Sequence, residues 1–457
     1  MQRIRQSRRT CQRLRQRCGF TTPAVAVALL VFMMGLALIL DRIWLETAQL
    51  ELKTASEAAA LAAAKDLASD NLLRPNAAVD LRLNNALQSA GWIAGNNVVA
   101  GSPLELNLES DGDVRFGNLV NEANRIRFEE STDHPTTVVI TGARTRSNNN
   151  PVGLFVAGVT GIPFADVVAR AEATIDNFLI GLRAFDGTPI PALPIAIWRQ
   201  DSTGQRSDTW NNSIETKRGA DAWSFDPETR TVVAVADGIP EITLHGMRTG
   251  GNANTANVQL MNLGTGLVDR EVIRQFDAGI SVDDLKDYDG QLWVGNGASF
   301  AVTASPELHV SEYAGFQRMI GECRICFLYA DASPQRQKPL VTSTCVDIVA
   351  IRVMAVTSRP DGSCDITVQP TVITTRTAVL ASECASGPTT NALRAIDAVE
   401  DGSVGDTAVP VSNSNVDGSS SASTGTYSIS NVGMNPVTGY ADSVKPNRYL
   451  YKMRLTH

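Results

Sequence analysis

The sequence predicts an α+β protein, in which a single N-terminal transmembrane helix continues into an alanine-rich helix and a β-rich extracytoplasmic body of one or two domains comes after them. Three observations support this fold class. Residues 20–40 form an uncharged, apolar run. Residues 41–71 contain no glycine or proline and are rich in strong helix formers. Beyond residue 76, short segments alternate between apolar and polar side chains, as β-strands do.

The apolar run at 20–40 predicts one membrane span, because a helix of that length reaches about 30 Å, the thickness of the hydrocarbon core. A basic leader at 1–19 precedes it, and acidic residues follow it from Asp41 onward. The positive-inside rule then places the N-terminus in the cytoplasm, the span in the cytoplasmic (inner) membrane and the bulk outside the cytoplasm. A cleaved signal peptide fits less well, since the run is too long and no small-residue cleavage site follows it closely.

Composition bounds the body of the protein. The chain has 457 residues, 43% hydrophobic and 19% charged, which is enough for a sizeable core and roughly two to four domains. The net charge is −8, but outside the seven-arginine leader 33 basic residues face 48 acidic ones, a net charge of −15. An anionic body argues against nucleic acid as a partner, because phosphate binding needs lysine and arginine.

The alanine-rich helix is predicted at 41–74 and should end near Arg74 and Pro75, since proline cannot continue it. Small and apolar residues recur in steps of three and four and form a candidate helix-packing stripe: Leu45, Ala48, Leu52, Ala55, Ala59 and Ala62. The stripe has two interpretations. It packs on the chain's own body, or it packs on the helix of a partner.

The body divides into predicted segments at soft boundaries. An α/β domain is expected at 75–199, a β-rich second domain at 200–398, a low-complexity loop at 399–430 and a C-terminal strand segment at 431–457. The clearest individual elements are a strand at Phe164–Asp176 and a helix at Val268–Ala278, with Asp269 in its first turn and Gly279 just past its end. Further predictions are a helix at Ala77–Ala90, a strand at Asn124–Phe128, and strands at Val346–Val356, Thr367–Leu380 and Arg448–Thr456.

The seven cysteines fall into two groups. Cys11 and Cys18 lie in the leader, and five lie outside: Cys323, Cys326, Cys345, Cys364 and Cys384. In an oxidising compartment these five could form two disulfides with one thiol left over. Cys323 and Cys326 have CxxC spacing, but the residues after them predict a strand and not the helix start that activates a redox thiol, so we expect structural or free thiols.

The sequence offers no ordered catalytic constellation. Its four histidines are scattered, and it contains no nucleophile elbow, phosphate-binding glycine loop or paired zinc motif. We therefore predict no catalytic, cofactor-binding or metal-binding residues, no cofactor and no enzymatic activity.

The segment from Gly19 to Ala64, above all Leu52–Ala64 (LKTASEAAALAAA), resembles the start of TadE/TadG-like proteins of the Tad (tight adherence, Flp pilus) system. In those proteins a basic leader, one membrane helix and an alanine-rich helix follow one another. Glu57 stands where the family usually has aspartate. The segment from Asn124 to Ala196, with its alternating strand and its proline-rich IPALPIAI, resembles the periplasmic part of TadG-like proteins, so the resemblance covers about residues 19–200.

The resemblance implies a membrane-anchored, non-enzymatic component of Tad/Flp-type pilus assembly or adhesion, with other pilus-assembly or pilin-like membrane proteins as partners. The junction between Gly19 and Phe20 also resembles a prepilin processing site, although Ala24 stands where most pilins carry glutamate. One alternative is therefore a minor pilin processed between Gly19 and Phe20. The other is a membrane-tethered exported enzyme or ligand-binding module.

Overall fold

The computed structural model of the protein describes residues 21–74, 79–109, 111–122, 125–247, 255–264, 266–308, 310–336, 339–360, 363–385 and 444–456. The chain separates into two compact units. Unit 1 comprises residues 1–67, 83–174 and 455–457, and unit 2 comprises residues 68–82 and 175–454. The leader and the predicted loop at 399–430 lie outside the described residues.

The described part of the chain starts with a long helix, and strands make up most of the described elements after it. The helices are α1 (Thr21–Leu67), α2 (Val79–Asn96), α3 (Ala157–Thr160), α4 (Asp269–Ala278), α5 (Val310–Arg318) and α6 (Ala381–Ala385). The strands are β1 (Val98–Val99), β2 (Ser102–Pro103), β3 (Val114–Glu122), β4 (Arg125–Glu130), β5 (Thr137–Arg144), β6 (Val152–Gly153), β7 (Phe164–Ala165), β8 (Val167–Asp176), β9 (Leu179–Arg183), β10 (Ala192–Trp198), β11 (Ser224–Asp226), β12 (Thr231–Val233), β13 (Ile242–His245), β14 (Val258–Met261), β15 (Gln291–Trp293), β16 (Phe300–Ser305), β17 (Cys323–Pro334), β18 (Val341–Ser358), β19 (Cys364–Pro370), β20 (Ile373–Thr374), β21 (Ala378–Leu380) and β22 (Leu450–Thr456).

Unit 1 is an antiparallel sheet against which the second half of α1 packs. The strand order β4-β3-β5-β8 places β5 inside the sheet, and α1 lies on β5 and β1. Most of β5 is buried, and β8 alternates as the sequence predicts, with Val167, Ala171 and Ala173 inside. The hydrophobic face of this sheet is therefore covered by a helix, as an amphipathic sheet requires.

Close approach of α1 to β5 depends on small residues. Gly142 of β5 faces Ser56 and Leu52 of the helix so closely that a methyl group at residue 142 would overlap Ser56 Oγ and lie 3.1 Å from Leu52 Cδ1. The Ser56 hydroxyl is turned back to donate to the Leu52 carbonyl at 2.8 Å, which satisfies it inside the contact. A larger residue at this position would force the Ser56 side chain or the helix to shift, so glycine suits this close contact.

Unit 2 contains a ring of five hydrogen-bonded strands. Strand β10 pairs with β14, β14 with β16, β16 with β18, and β18 with β17, which returns parallel to β10. Strands β19 and β13 extend the sheet from the far half of β18. A large cluster of buried side chains fills unit 2, including Trp210, Phe276, Phe316 and Phe327, and a smaller one groups Ile180, Val379, Ala381 and Val444.

A buried ion pair ties the segment after α1 to this sheet. Arg352 of β18 is almost fully buried, stacks on the Phe225 ring at 3.7 Å and donates to Asp70 Oδ2 at 2.8 Å. Asp70 also accepts from the Thr371 hydroxyl and the Val372 amide, each at 2.7 Å. The carboxylate is therefore held by three donors, which is what a poorly solvated ion pair needs to be stable.

Several predicted elements are confirmed. The predicted strand at 164–176 contains β8, and the predicted helix at 268–278 is α4, with Asp269 and Glu271 in its first turn and Gly279 at φ +83° after it. The closing strand is β22, which pairs parallel to β20. The predicted strand at 346–356 lies inside the longer β18.

Other predictions need correction. The α-helix ends at Leu67 and not near residue 74, because Ser69 is extended and a short 3-10 turn, Asp70–Leu72, follows. The single strand predicted at Thr367–Leu380 is three strands, because the chain changes partners: β19 pairs with β18, β20 with β22 and β21 with β9. The predicted helix at 77–90 is longer, Val79–Asn96, and the strand predicted at 124–128 is Arg125–Glu130.

The chain passes from one compact unit to the other at several points, one of them between Thr174 and Ile175. The domain boundary expected at 199/200 stays a prediction. The proline-rich stretch before Ile195 leads without a break into β10, which is a ring strand of unit 2.

We expect Gly142→Ala to destabilise unit 1 by about 1–3 kcal/mol, because the added methyl forces α1 away from β5. The same change at Gly95 in α2, where nothing lies within 4 Å, should be neutral or stabilise by up to about 1 kcal/mol. Hydrogen–deuterium exchange of the β5 amides in the full-length chain measures both. Equal protection of β5 in the two variants would contradict the requirement for close packing.

Asp70→Ala should destabilise unit 2 by about 2–4 kcal/mol, because it leaves the nearly buried Arg352 charge with only the Gly321 carbonyl, the Thr371 hydroxyl and the Phe225 ring, and no carboxylate. Asp283→Ala removes an exposed pair with Lys286 and should cost about 0–1 kcal/mol. Thermal unfolding of the two variants, compared at the same detergent concentration, tests the difference. A shift at Asp70 no larger than at Asp283 would show that the pair contributes little.

Candidate functional site

The first half of α1 presents an apolar surface to its surroundings on every side. From Pro23 to Leu40 the side chains are exposed, with Ala37 half-buried. In the described part of the chain this is the one helix long and apolar enough to cross a membrane. At about 1.5 Å per residue, the whole of α1 is about 70 Å long, so it extends well beyond a bilayer.

The surroundings of α1 change abruptly at Asp41. Asp41 is only 5% exposed, and Ala48, Leu52, Ala55 and Ala59 beyond it are fully buried within the protein. The same helix therefore offers an apolar surface to its surroundings before Asp41 and to protein after it. No break in the backbone accompanies the change.

A small polar and aromatic junction marks this point. Asp41 Oδ1 accepts from the Phe155 amide at 2.8 Å, and Trp44 Nε1 donates to the Gly153 carbonyl at 3.1 Å. The Trp44 and Phe155 rings meet with centroids 5.2 Å apart. The segment around residue 155 is thus fastened to α1 directly where the exposed apolar run ends.

The predicted helix-packing stripe faces the chain's own sheet. Ala48, Leu52, Ala55 and Ala59 are buried, while Leu45 and Ala62 at its ends are half-buried. Of the two interpretations that the sequence leaves open, this arrangement corresponds to packing on the chain's own body. The predicted processing residues Gly19 and Phe20 lie outside the described residues.

The cysteines outside the leader are free thiols wherever the structure describes their side chains. Cys323, Cys326, Cys345 and Cys364 are unbridged, so the disulfides that the sequence allows among these four are not formed. The side chain of Cys384 is outside the described part. Cys323 and Cys326 lie on β17, in line with the strand expected after them.

Burial makes these thiols poor nucleophiles. Burial raises the pKa of Cys326 well above its usual value, and it raises the pKa of Cys345 and Cys323 as well. Burial, helped by Glu312 and Asp365, raises the pKa of Cys364 to about 12. Redox cysteines need the opposite shift, so the CxxC pair has the environment of structural thiols.

Unit 2 contains two polar cavities that the sequence motifs did not identify. The first, of about 530 Å³, is lined by Arg199, Glu215, Asn296, Asp347 and Tyr449, among others. Burial raises the pKa of Asp347 and, together with the neighbouring Glu215, that of Tyr449. Glu215 is engaged by the Tyr449 hydroxyl and by Arg448, so much of the lining is already paired within the protein.

The second cavity, of about 500 Å³, adjoins His245 and Glu241. His245 lies opposite Asp365 in the β13–β19 ladder, with Nδ1 2.7 Å from the carboxylate and 2.9 Å from Arg359. Burial raises the pKa of Glu241, whose carboxylate accepts from the Ala222 and Trp223 amides. These groups join neighbouring strands and loops. The register of β13 on β19 brings His245 and Asp365 together, and no local sequence pattern shows that register.

No group of three or more His, Cys, Asp or Glu with metal-binding geometry occurs among the residues that the structure covers. The feature with a defined physical role is therefore α1 and its junction at Asp41.

The comparisons with known proteins concern this same helix. Residues 19–66 match the family described as "Tad: Putative Flp pilus-assembly TadE/G-like". The expected resemblance is thereby confirmed for this segment, which is about a tenth of the chain; its extension to about residue 200 stays a prediction. No curated protein and no solved structure matches the chain.

The match shows that the N-terminal segment is similar to TadE/G-like proteins. It begins just before α1 and ends one residue before α1 does. The matched unit is therefore the whole helix, with both its exposed apolar half and its half packed on β5.

We predict that iodoacetamide at neutral pH leaves Cys326 and Cys345 unmodified in the native chain and alkylates both after denaturation, because both thiols are fully buried and protonated. An Asp133→Cys variant, whose site is 89% exposed, supplies a reactive control. Peptide mass spectrometry reads all positions together. Alkylation of native Cys326 at the rate of the control thiol would restore the redox interpretation.

Proposed function

We propose that this chain is a membrane-anchored, non-enzymatic component of Tad/Flp-type pilus assembly or adhesion, of the TadG-like kind. The observation that carries the proposal is the coincidence of the family match with α1. Residues 19–66 resemble TadE/G-like proteins, and residues 21–66 of this segment lie in one helix whose apolar half is long enough to span a bilayer. The proposed role of the remainder, units 1 and 2 outside the helix, is to present surface to partners.

The proposed orientation has the leader in the cytoplasm and the body outside it, with α1 in the cytoplasmic (inner) membrane. The charge distribution supports this, since seven arginines precede the span and the body is anionic. The proposed partners are other pilus-assembly or pilin-like membrane proteins. Within the bilayer, the open flank of Gly35, which has nothing within 4 Å, would allow the close approach of a second helix.

Two alternatives have their own tests. A minor pilin would begin at Phe20, so the mass and N-terminal sequence of the chain from native membranes separate it from an anchor that begins at Met1. A ligand-binding module is favoured by the first cavity of unit 2. Native mass spectrometry of the detergent-extracted chain would then reveal a retained small molecule.

Orientation is tested by labelling intact spheroplasts with a membrane-impermeant maleimide. We expect Asp133→Cys to react at once and the leader thiols Cys11 and Cys18 to react only after permeabilisation, because the span separates the two sides. The parent chain is the matched control, since the cysteines of β17 and β18 are buried or nearly so. Labelling of Cys11 and Cys18 before permeabilisation would reverse the proposed topology.

The role in assembly is tested in the source cell by deleting the gene and counting surface filaments and adherent cells. Loss of either, restored by the full chain, is the expected outcome. A complementing chain with Leu30→Asp and Leu36→Asp should fail, because acidic residues in the middle of a span oppose insertion by about 2.5–3.5 kcal/mol each. Unchanged filaments and adhesion in the deletion strain would refute the proposed role.

A further inference from the structure

One exposed apolar segment of unit 1 lies outside the membrane helix. Residues 151–165 form a loop without a single charge, which we call the apolar loop. It exposes three bulky side chains, Phe155 at 69%, Ile162 at 52% and Phe164 at 45%. Exposed apolar clusters of this kind on a folded protein mark contact surfaces.

The junction with α1 fixes the position of this loop along the helix axis, beside the end of the apolar run. Phe155 is bound through its amide to Asp41, the first charged residue after the uncharged run that ends at Leu40. Trp44, which touches the Phe155 ring, lies about 5 Å further along the helix axis than Asp41. The polar headgroup layer on each side of the hydrocarbon core is about 5–7 Å thick, so Phe155 lies at the depth of this layer.

The loop is built to enter an apolar surrounding. Its ends form a small hairpin in which Val152 pairs with Ala165 and Gly153 with Phe164. The Leu154 amide donates to the Pro163 carbonyl at 3.0 Å, and the Gly161 amide donates to the Ala157 carbonyl at 2.8 Å. Backbone groups that are bonded internally can approach lipid at little cost, whereas free ones cannot.

Polar groups lie beside the paired ends of the apolar loop. The Arg146 amide donates to Asp166 at 2.9 Å, and the Arg146 guanidinium donates to the Phe164 carbonyl at 2.7 Å. Trp44 presents an indole whose N–H is bonded to Gly153 and whose ring lies at the interface, the place where tryptophan is enriched in membrane proteins. An apolar loop whose paired ends lie beside a tryptophan and charged residues has the pattern of an interfacial membrane contact.

We propose that the apolar loop is a second membrane contact, which inserts Phe155, Ile162 and Phe164 into the boundary between headgroups and acyl chains of the bilayer that α1 spans. The partner is lipid, because the loop is fastened to the membrane helix and lies at the headgroup level. The proposal rests on the membrane placement of α1. With two points of contact, unit 1 can no longer rotate freely about the helix axis.

Photo-crosslinking of the full chain in phospholipid nanodiscs tests the proposal. We replace Phe155 or Phe164 with p-benzoylphenylalanine and count lipid adducts by mass spectrometry. The same replacement at Ile126 is the matched control. Ile126 is 72% exposed in the same unit, and the ladder places it opposite Asn121, beyond the end of β5 that is remote from the loop. A replacement at Val31 reports on the span itself.

We expect lipid adducts at residues 155 and 164 to exceed those at residue 126 by about tenfold, since only side chains inserted into the bilayer stay in contact with acyl chains. Adducts at Val31 but background levels at 155 and 164 would overturn the loop contact and leave the anchor intact. Crosslinks from 155 to a second copy of the chain, without lipid adducts, would overturn it in favour of self-association. Background levels at Val31 as well would overturn the membrane placement, and the loop contact with it.

Discussion

The described structure depends on one helix whose two halves need different environments: hydrocarbon around the first half and a protein surface against the second. The half of α1 before Asp41 is apolar on all faces, which is stable in hydrocarbon and unfavourable in water. The half after it concentrates its apolar residues on one face, which the protein covers. Asp41 stands at the change, where its carboxylate finds the Phe155 amide. Without the body, the second half of α1 would be uncovered. Without a membrane, the first half would be exposed to water.

The body meets this constraint with small residues. Alanines on α1 and Gly142 on β5 bring the helix axis close to the sheet, so the backbone of a central strand takes the place that larger side chains would occupy. Small residues bury little apolar area each, and the contact therefore gains stability from close fit more than from area. This explains why a single methyl group at residue 142 is expected to matter more than one at residue 95.

Sequence reasoning succeeded where signals are local. The uncharged run, the alternation in β8 and the capping pattern around α4 each depend on neighbours in the chain, and each element was found within a few residues. It failed where the determining contact is distant. The closed strand ring, the Asp70–Arg352 pair and the two cavities join residues that are far apart in sequence. The place of β10 in the ring is another example, because only its pairing with β14 and β17 shows it.

The packing of α1 also bears on the choice between an anchored component and a pilin packed into a fibre. A helix that lies in a fibre core needs an open apolar face along most of its length. Beyond Asp41 that face of α1 is already covered by β5, and the opposite face carries the pairs Arg42–Glu46 and Lys53–Glu57. Within α1, residues 23–40 are the continuous apolar stretch that the described rest of the chain leaves uncovered, and beyond Asp41 the exposed apolar side chains are scattered, as at Ile43 and Leu50. The proposed association between helices is therefore centred on the membrane segment. That distribution favours a protein that stays anchored and displays its body.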